Sequence, residues 1–213
     1  MSDEVVFSPV VQTQRLDILS DDGRIVAILG AASGTPGLAF HDKQGEVRLF
    51  LTLDSDGNPS ISLANKGKQV RLMMFMAQSD GTPHLNLLSS AGVPILALSL
   101  RPDGSPDIVL TDQASETRIG LSVSSDGGSV LTLPATGRDD GVVISMSREG
   151  EGGVMVASAE GRLRASLGVD EHGAARLDLN DERGRGSAIV GVAEDGSPGL
   201  QLCSRGEAVF FAP

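Results

Sequence analysis

The chain has 213 residues and a formal net charge of −11 at pH 7, which makes nucleic acid and anionic membranes unfavourable partners. Its single cysteine, Cys203, excludes an intrachain disulfide, and no stretch approaches the roughly 18 apolar residues of a membrane span. Because the start at Met1–Phe7 lacks the basic and apolar regions of a signal peptide, we expect a cytoplasmic protein, which leaves open a component of a phage or other particle released by lysis.

Residues 1–11 form an apolar segment around Pro9 that precedes the first repeat. We predict that this segment is an N-terminal cap or a contact segment, because the end of a repeat array exposes an apolar edge. Phe7 is its largest apolar side chain and is therefore a candidate interaction residue.

From residue 12 to residue 213 the sequence contains about nine repeats of 23 residues. A glycine recurs at intervals of 23 residues, with one interval of 24 between Gly57 and Gly81. These anchor glycines are Gly34, Gly57, Gly81, Gly104, Gly127, Gly150, Gly173 and Gly196. A fixed period in this range indicates that each repeat is one supersecondary unit, so we predict a single β-repeat domain over residues 1–213.

Each repeat alternates apolar and polar residues. Counted from the anchor glycine, positions +4, +6, +15, +17 and +19 are apolar in all seven complete repeats between Gly34 and Asp195, 35 positions in all. A period of two is typical of a strand with one buried face, and no segment shows the 3.6-residue period of a helix. We therefore predict two short strands per repeat, near +2 to +8 and +13 to +20, and essentially no helix.

Two kinds of polar turn join these strands. One reads Asp-Gly-x-Pro, as at Asp103–Pro106, and the other ends in glycine, as at Asp42–Gly45. Glycine allows positive φ, and Asp or Asn bonds to its own backbone, so both predict tight turns between antiparallel strands. After Gly127 the proline is missing for three repeats and glycines cluster, which predicts looser turns or a changed cross-section there.

Large apolar side chains break the alternation in two places. Met73 and Phe75 put apolar residues on both faces of one strand, together with Met74 and Met76, which predicts either a contact patch or a core strand with two exposed apolar residues. Phe210 and Phe211 lie near the C-terminus of the sequence, where we expect a second cap or subunit contact. Together with Phe7, these four side chains are the candidate interaction residues.

Arginine recurs at position +14, just before the apolar run of the second strand, at Arg48, Arg71, Arg118 and Arg164. Stacked repeats would align these arginines with acidic residues at position +8, namely Asp42, Asp112 and Asp181. This pattern predicts a solvated charge ladder, with a repeated anion site as the alternative. Because the chain has no Tyr or Trp, it lacks the usual platforms on which sugars or bases stack.

The sequence contains no motif for catalysis, metal binding or cofactor binding. The three histidines share no position in the repeat, and the calcium-loop-like start at Asp54–Asn58 has Asn65 where such a loop needs Glu. We therefore predict a non-enzymatic protein with no cofactor and no metal. An enzyme with a scattered site in the glycine-rich stretch Asp126–Gly153 is a weaker alternative.

Several all-β arrangements can bury a uniform two-strand repeat. We predict an elongated antiparallel meander, solenoid or prism-like array whose apolar face leads to self-association, with a trimer as the favoured homo-oligomer and a separate protein partner as an option. The alternative is a β-propeller that binds a small ligand or glycan. Two repeats per blade would then impose a modulation of about 46 residues, whereas consecutive repeats look alike.

The segments Asp103–Leu110 (DGSPDIVL) and Glu160–Leu167 (EGRLRASL) show the repeat most clearly. Over nearly the whole chain the repeat resembles the Gly-Asp-rich two-strand repeats of bacterial and phage proteins, including fibre- and stalk-like ones. The resemblance implies an elongated structural scaffold that self-associates, and it implies no catalytic residues.

Overall fold

The computed structural model describes residues 10, 12–32, 34–134, 141–183, 186–204 and 207–212. All regular structure in these residues is β-strand. No helix in the described ranges has the length and apolar character needed to cross a membrane. The chain divides into two compact units, Met1–Pro83 and His84–Pro213, and the 23-residue pattern is present in both.

Six described strands pair in chain order in the first unit, and every one of these pairings is antiparallel. The strands are β1 (Arg15–Leu19), β2 (Ile25–Ala32), β3 (Thr35–His41), β4 (Val47–Leu53), β5 (Pro59–Ala64) and β6 (Val70–Met76).

The remaining twelve described strands form the second unit, in which β7 begins at the boundary residue Pro83. Each strand pairs antiparallel with its neighbour in sequence. The strands are β7 (Pro83–Leu88), β8 (Pro94–Leu100), β9 (Pro106–Thr111), β10 (Thr117–Val123), β11 (Ser129–Leu133), β12 (Val142–Met146), β13 (Gly152–Ala157), β14 (Leu163–Val169), β15 (Ala175–Asn180), β16 (Gly186–Val192), β17 (Pro198–Ser204) and β18 (Glu207–Ala212).

The strand register places the apolar positions of neighbouring strands opposite each other. Leu51 pairs with Leu38 on one side and Ile61 on the other, and Leu121 lies in the same way between Ile108 and Leu131. Because successive side chains alternate across a strand, each unit has an apolar face, called here the leucine face, and an opposite polar face. The prediction of an all-β antiparallel meander is confirmed.

Most of the described turns between strands contain five residues and share one hydrogen-bond pattern, which the turn at Asp42–Glu46 illustrates. The backbone N–H of Asp42 donates to the Glu46 carbonyl at 2.9 Å, and the Gly45 N–H donates to the Asp42 carbonyl at 2.9 Å. The Asp42 carboxylate accepts from the N–H groups of Gln44 and Glu46 at 2.9 and 3.0 Å. Gly45 has φ of +80°, which explains why glycine recurs at this fourth position.

Two turns hold the left-handed conformation without glycine. Lys68 has φ of +64° and Ser115 has φ of +66°, each at the fourth position of its turn. In the first of these turns Gly67 lies one position before Lys68. Lys68 nevertheless takes the left-handed position, because it donates its N–H to the Asn65 carbonyl at 3.1 Å, as Gly45 does to Asp42.

The single 24-residue interval has a local cause in the turn at Ala77–Thr82. Here the Ala77 N–H donates to the Thr82 carbonyl at 2.7 Å, and the Gly81 N–H donates to the Ala77 carbonyl at 2.8 Å. This turn therefore contains one residue more than the five-residue turns. The strands on either side keep their apolar alternation because the turn absorbs the extra residue.

The glycine cluster after Gly127 does not loosen the turns. The turn at Ser147–Glu151 keeps the standard pattern, with Gly150 at the left-handed position and φ of +99°. Gly152 and Gly153 instead belong to β13 and pair with Val169 and Gly168 of β14. The expectation of looser turns was wrong here, because these extra glycines replace side chains within the sheet.

Within each unit, the described residues form one layer of strands. Large side chains that are completely buried do not occur among them, and their buried apolar residues are Ala27, Ala39 and Leu88. The accessible surface is 14446 Å², against about 9,300 Å² expected for a folded monomer of 22 kDa. The strand ladders continue through each unit without division into four-stranded blades, which is contrary to the propeller alternative.

Candidate interaction surface

The leucine face is open to solvent in both units. Leu29 is 53% exposed and Met74 43% in the first unit, and Leu121 is 43% exposed and Leu167 55% in the second. Neighbouring side chains on this face contact each other sideways along the ladder, but no second layer covers them within the described part of either unit. The regular apolar positions of the sequence thus form an uncovered surface in the single chain.

Among the described strand positions that pair in register, one charged side chain lies on the leucine face. It is Glu207 at the start of β18, which lies opposite Ser204. Elsewhere in the second unit this face carries Leu, Ile, Val, Met, Ala, Phe, Pro, Gly, Ser and Thr, whereas the polar face carries Asp107, Arg176 and Asp178. Because Glu207 is on the last strand of the unit, another surface can cover the other strands of the leucine face without burying a charge.

The leucine face of the second unit is large enough for a stable interface. Twelve strands spaced by about 4.8 Å span about 53 Å, and strands of six residues are about 20 Å long. The face therefore covers about 1,000 Å² per chain. Two such faces in contact would remove about 2,000 Å² from water, which lies at the upper end of the standard range and the lower end of the obligate range for protein interfaces.

The polar face of the first unit carries an apolar ridge made by Phe50, Met73 and Phe75, called here the aromatic ridge. Phe50 on β4 is 37% exposed, whereas Met73 and Phe75 on β6 are half-buried. Their cross-strand partners on β5 are small, because Ser62 pairs with both Phe50 and Met73 and Ser60 pairs with Phe75. Large side chains therefore stand beside small ones.

The Phe50 ring also covers a glycine of the neighbouring strand. A Cβ atom added to Gly37 would lie 2.9 Å from Cε2 of this ring. Phe50 pairs directly with Ala39, which is 9% exposed. The ring therefore fills the space that these two small residues leave on the polar face of the first unit.

The polar face of the second unit carries the opposite feature, a groove of about 870 Å³ that crosses β13 to β17, called here the glycine groove. Its floor includes Gly153, Gly168, Gly191 and Gly199, which lie on four of these five strands. Its apolar lining includes Met155, Ile189 and Phe211, and its charged lining residues are Glu151, Asp170, Arg176 and Asp178.

Three of the floor glycines are required by the sheet itself. An added Cβ would lie 2.6 Å from the Leu167 carbonyl oxygen at Gly153, 3.0 Å from the Gly152 oxygen at Gly168 and 3.0 Å from the Ala175 oxygen at Gly191. At Gly199 an added Cβ would have no atom within 4 Å. The groove was not predicted from the sequence, although glycines at +3 and +18 of successive repeats are a signal that could have found it.

The aromatic candidates of the sequence lie in different surroundings. Phe210 is on the leucine face of β18, opposite Leu202, and is 49% exposed. Phe211 is on the polar face, opposite Gln201, lines the glycine groove and is 69% exposed. Met73 and Phe75 form part of the aromatic ridge, and Phe7 lies outside the described residues.

Two arginines of the proposed charge ladder form ion pairs within their own hairpins. Arg48 lies 2.5 Å from Asp42, and Arg118 lies 2.5 Å from Asp112 and 3.1 Å from Glu116. The Arg118 guanidinium is the main cause that lowers the pKa of Asp112, and the Glu116 N–H adds to it. These pairs bridge the turn at the start of the second strand.

The other two arginines of the ladder have different surroundings. Nε of Arg164 donates to the carbonyl of Asn180 on the neighbouring strand at 3.1 Å. Arg71 is exposed on β6, on the same strand as two residues of the aromatic ridge. Arg48 and Arg118 thus pair with acidic residues of their own hairpins, whereas Arg164 donates to a carbonyl of the neighbouring strand.

The calcium-loop-like segment is a turn of the common type. One carboxylate oxygen of Asp54 accepts hydrogen bonds from the N–H groups of Asp56 and Asn58, both at 2.9 Å. Hydrogen bonds from Asn58 are the main cause that lowers the pKa of Asp54. Across the described residues, no group of three or more His, Cys, Asp and Glu side chains is arranged to hold a metal ion.

No protein-family profile matches the sequence, and no curated protein matches it. Among solved structures, the TCP10 domain of Danio rerio CPAP is 13% identical with a TM-score of 0.29, over 86% of this chain and 98% of that one. The TCP domain of Drosophila melanogaster SAS-4, solved in complex with a proline-rich motif of Ana2, is 12% identical with a TM-score of 0.40, over 86% and 96%. At such scores, function has to be argued from this chain's own geometry.

Proposed function

We propose that this protein is a non-enzymatic structural scaffold that self-associates through its leucine face. The observation that carries the proposal is a continuous apolar face in each unit that no other described part of the same unit covers, with Glu207 at the start of β18 as its one charged residue in register. Contiguous apolar patches on soluble monomers rarely exceed a few hundred Å², so a face of about 1,000 Å² marks an interaction site.

A second copy of the chain is the partner that fits this face best. The leucine face has the same chemistry in every repeat, so two copies present matching apolar surfaces along their whole length. Two sheets that pack face to face lie about 10 Å apart with interdigitating side chains. The charges of both copies, on the polar faces and turns, then remain in water despite the net charge of −11.

We favour three copies around one axis, each with its leucine face inward, as a fibre- or stalk-like component. A trimer closes the apolar core on all sides, whereas two copies form a sandwich with open edges. A separate protein partner that covers the same face is the alternative occupant. The solution mass distinguishes these arrangements.

Light scattering after size-exclusion chromatography tests the proposal. The chain has a mass of 22.0 kDa, so a trimer gives about 66 kDa and a dimer about 44 kDa. A monomer at every concentration, with no other protein bound, would overturn self-association. A dimer would support the leucine face but reject the trimer.

A matched pair of double variants locates the interface. Leu121→Glu with Ile144→Glu places two charges on the leucine face, where both side chains are more than 40% exposed in the single chain. Ser122→Glu with Val143→Glu places the same charges one residue away on the same strands, on the polar face and outside the lining of the groove described above. At low micromolar concentration, below the range in which the weaker contact between polar faces described below would form, we expect the first pair to give monomers and the second to keep the wild-type mass. If both double variants dissociate equally, the added negative charge itself, rather than its position on the leucine face, causes the dissociation.

A further inference from the structure

We propose that the aromatic ridge of one copy docks into the glycine groove of a second copy. The two features lie on the polar faces, so this contact is separate from the one made by the leucine face. It adds to the proposed scaffold function a second interface that joins assembled copies to each other.

The first argument is complementary shape. The glycine groove has a volume of about 870 Å³ and crosses five strands, which is about 19 Å along the sheet. Phe50 and the pair Met73 and Phe75 lie two strands apart, at about 10 Å, so the ridge is narrower than the groove. The glycine floor lets the incoming rings approach the backbone closely.

The second argument is the chemistry of the groove wall. Met155, Ile189 and Phe211 line the groove, and Phe211 is 69% exposed in the single chain. Aromatic and methionine side chains gain both apolar burial and ring contacts when they pack together. The ridge consists of two phenylalanines and a methionine, which are suited to this wall.

The third argument is complementary charge. Glu151, Asp170 and Asp178 line the groove with a single cation, Arg176, which lies 2.7 Å from Asp178, so the charged lining has a net charge of −2. The ridge is bordered on its own strands by Arg71 and by Arg48, which is paired with Asp42, so its border is less acidic than the groove. Such complementarity fixes orientation and speeds association.

Both units are acidic, so the attraction has to come from the residues at the ridge and the groove themselves. Residues up to Pro83 contain ten acidic and seven basic residues, and the residues from His84 onward contain eighteen and ten. All three lysines of the chain are in the first group, at Lys43, Lys66 and Lys68. The first unit therefore carries a net charge of −3 and the second −8.

Where the ridge–groove contact cannot form twice within one pair, it continues from copy to copy. Such a heterologous interface forms open chains unless its rotation happens to close a ring. In this protein it would connect copies or leucine-face oligomers side by side, so that the apparent mass keeps rising with concentration.

The test uses full-length chains that carry Leu121→Glu and Ile144→Glu, so that the leucine face does not contribute. In this background we expect sedimentation velocity to show association that increases with concentration up to about 1 mM. Gly199→Leu fills the groove at the floor position where an added Cβ meets no atom. Phe75→Ser removes part of the ridge, and Met73→Ser is a second ridge variant for the case that the first fails to fold.

The decisive readout is complementation between variants. Each of Gly199→Leu and Phe75→Ser alone should be monomeric, whereas an equimolar mixture should form a one-to-one dimer, because one intact groove and one intact ridge remain. A monomeric background, or unchanged association after Gly199→Leu, would overturn the docking. Neither result would affect the leucine-face proposal, because that proposal is tested by the solution mass of the wild-type chain.

Discussion

The polar faces of the two units show how one backbone pattern can support opposite surfaces. In the first unit, Phe50, Met73 and Phe75 stand over small neighbours and form a ridge. In the second, positions of the same kind are occupied by Gly153, Gly168 and other small residues and form a groove. The leucine faces of the two units are alike. The turns and the leucine face therefore specify the strands, and the polar face is free to differ.

The largest expected effect comes from adding a side chain to the groove floor. Gly153→Val places a Cβ 2.6 Å from the Leu167 carbonyl oxygen and should lower the free energy of unfolding by about 1–3 kcal/mol. Gly199→Val meets no atom and should change it by no more than about 1 kcal/mol in either direction. Urea unfolding compares the two variants, and equal losses would show that the groove floor is not under backbone constraint.

Removal of aromatic rings tests how much each ring contributes to stability on the polar face. Phe50→Ala uncovers Gly37 and Ala39 and should cost about 1–2 kcal/mol, below the 3–5 kcal/mol of a fully buried ring because Phe50 is 37% exposed. Phe211→Ala, at 69% exposure, should cost less than about 0.5 kcal/mol. These values apply to the single chain, so thermal unfolding should be measured in the leucine-face variant. A larger loss of unfolding free energy in Phe211→Ala than in Phe50→Ala would contradict this expectation.

The turns should respond equally in both units. Gly45→Ala and Gly161→Ala each force a side chain into positive φ, at +80° and +74°, and should each cost about 1–2 kcal/mol. Lys68→Gly and Ser115→Gly remove the same backbone strain, but glycine also raises the conformational entropy of the unfolded chain. We expect a net stabilisation of a few tenths to about 1 kcal/mol. Denaturant midpoints measure all four, and opposite signs between the units would disprove their equivalence.

The smallest effect is a pH dependence from two matched turns. The Ser20 hydroxyl, followed by Arg24, lowers the pKa of Asp22 to about 2, and the Ser124 hydroxyl is the main cause that lowers the pKa of Asp126. The pKa of each carboxyl group is lower in the folded chain than in the unfolded chain, where it is about 3.9. Each group therefore stabilises the fold fully when the pH is above about 3.9, and this stabilisation is lost as the pH falls through the pKa of the folded chain. Stability should therefore decrease between about pH 4 and pH 2.

Asparagine variants identify the groups responsible. Asp22→Asn and Asp126→Asn keep an acceptor oxygen but cannot titrate, so each should flatten part of the loss of stability below about pH 4. At the first position of another turn, Asn65 accepts the N–H groups of Gly67 and Gln69 at 2.8 and 3.1 Å, so an amide oxygen serves as an acceptor in a turn of this type. An unchanged pH profile in both variants would exclude these two carboxylates as contributors.

Much of the fold could be predicted from the sequence because its signals are local. The period of two at positions such as Leu49, Leu51 and Leu53 predicts both the strand and its apolar side, and Asp-Gly pairs predict the turns. The positive φ at Lys68 and Ser115 could not be predicted, because the hydrogen-bond register of the hairpin imposes it on residues that do not favour it.

The candidate surfaces were harder to predict. Met73 and Phe75 were identified because they interrupt an otherwise polar face of a single strand. The groove depends on Gly153, Gly168 and Gly191, which lie on three different strands, so it becomes evident only when the register aligns them. The pairing of Arg48 with Asp42 within one hairpin likewise depends on the turn geometry, which brings residues six apart into contact.

The nearest-neighbour pairing of strands has a consequence for how proteins of this kind can change in length. One 23-residue repeat contains two strands and two turns, so its duplication or deletion returns the chain to the same direction with the same side chains on the same face. Each whole repeat adds about 10 Å to a sheet. The loss of a single strand would reverse the chain direction for everything that follows. Evolution and protein engineering can therefore change the length of this protein in steps of one whole repeat.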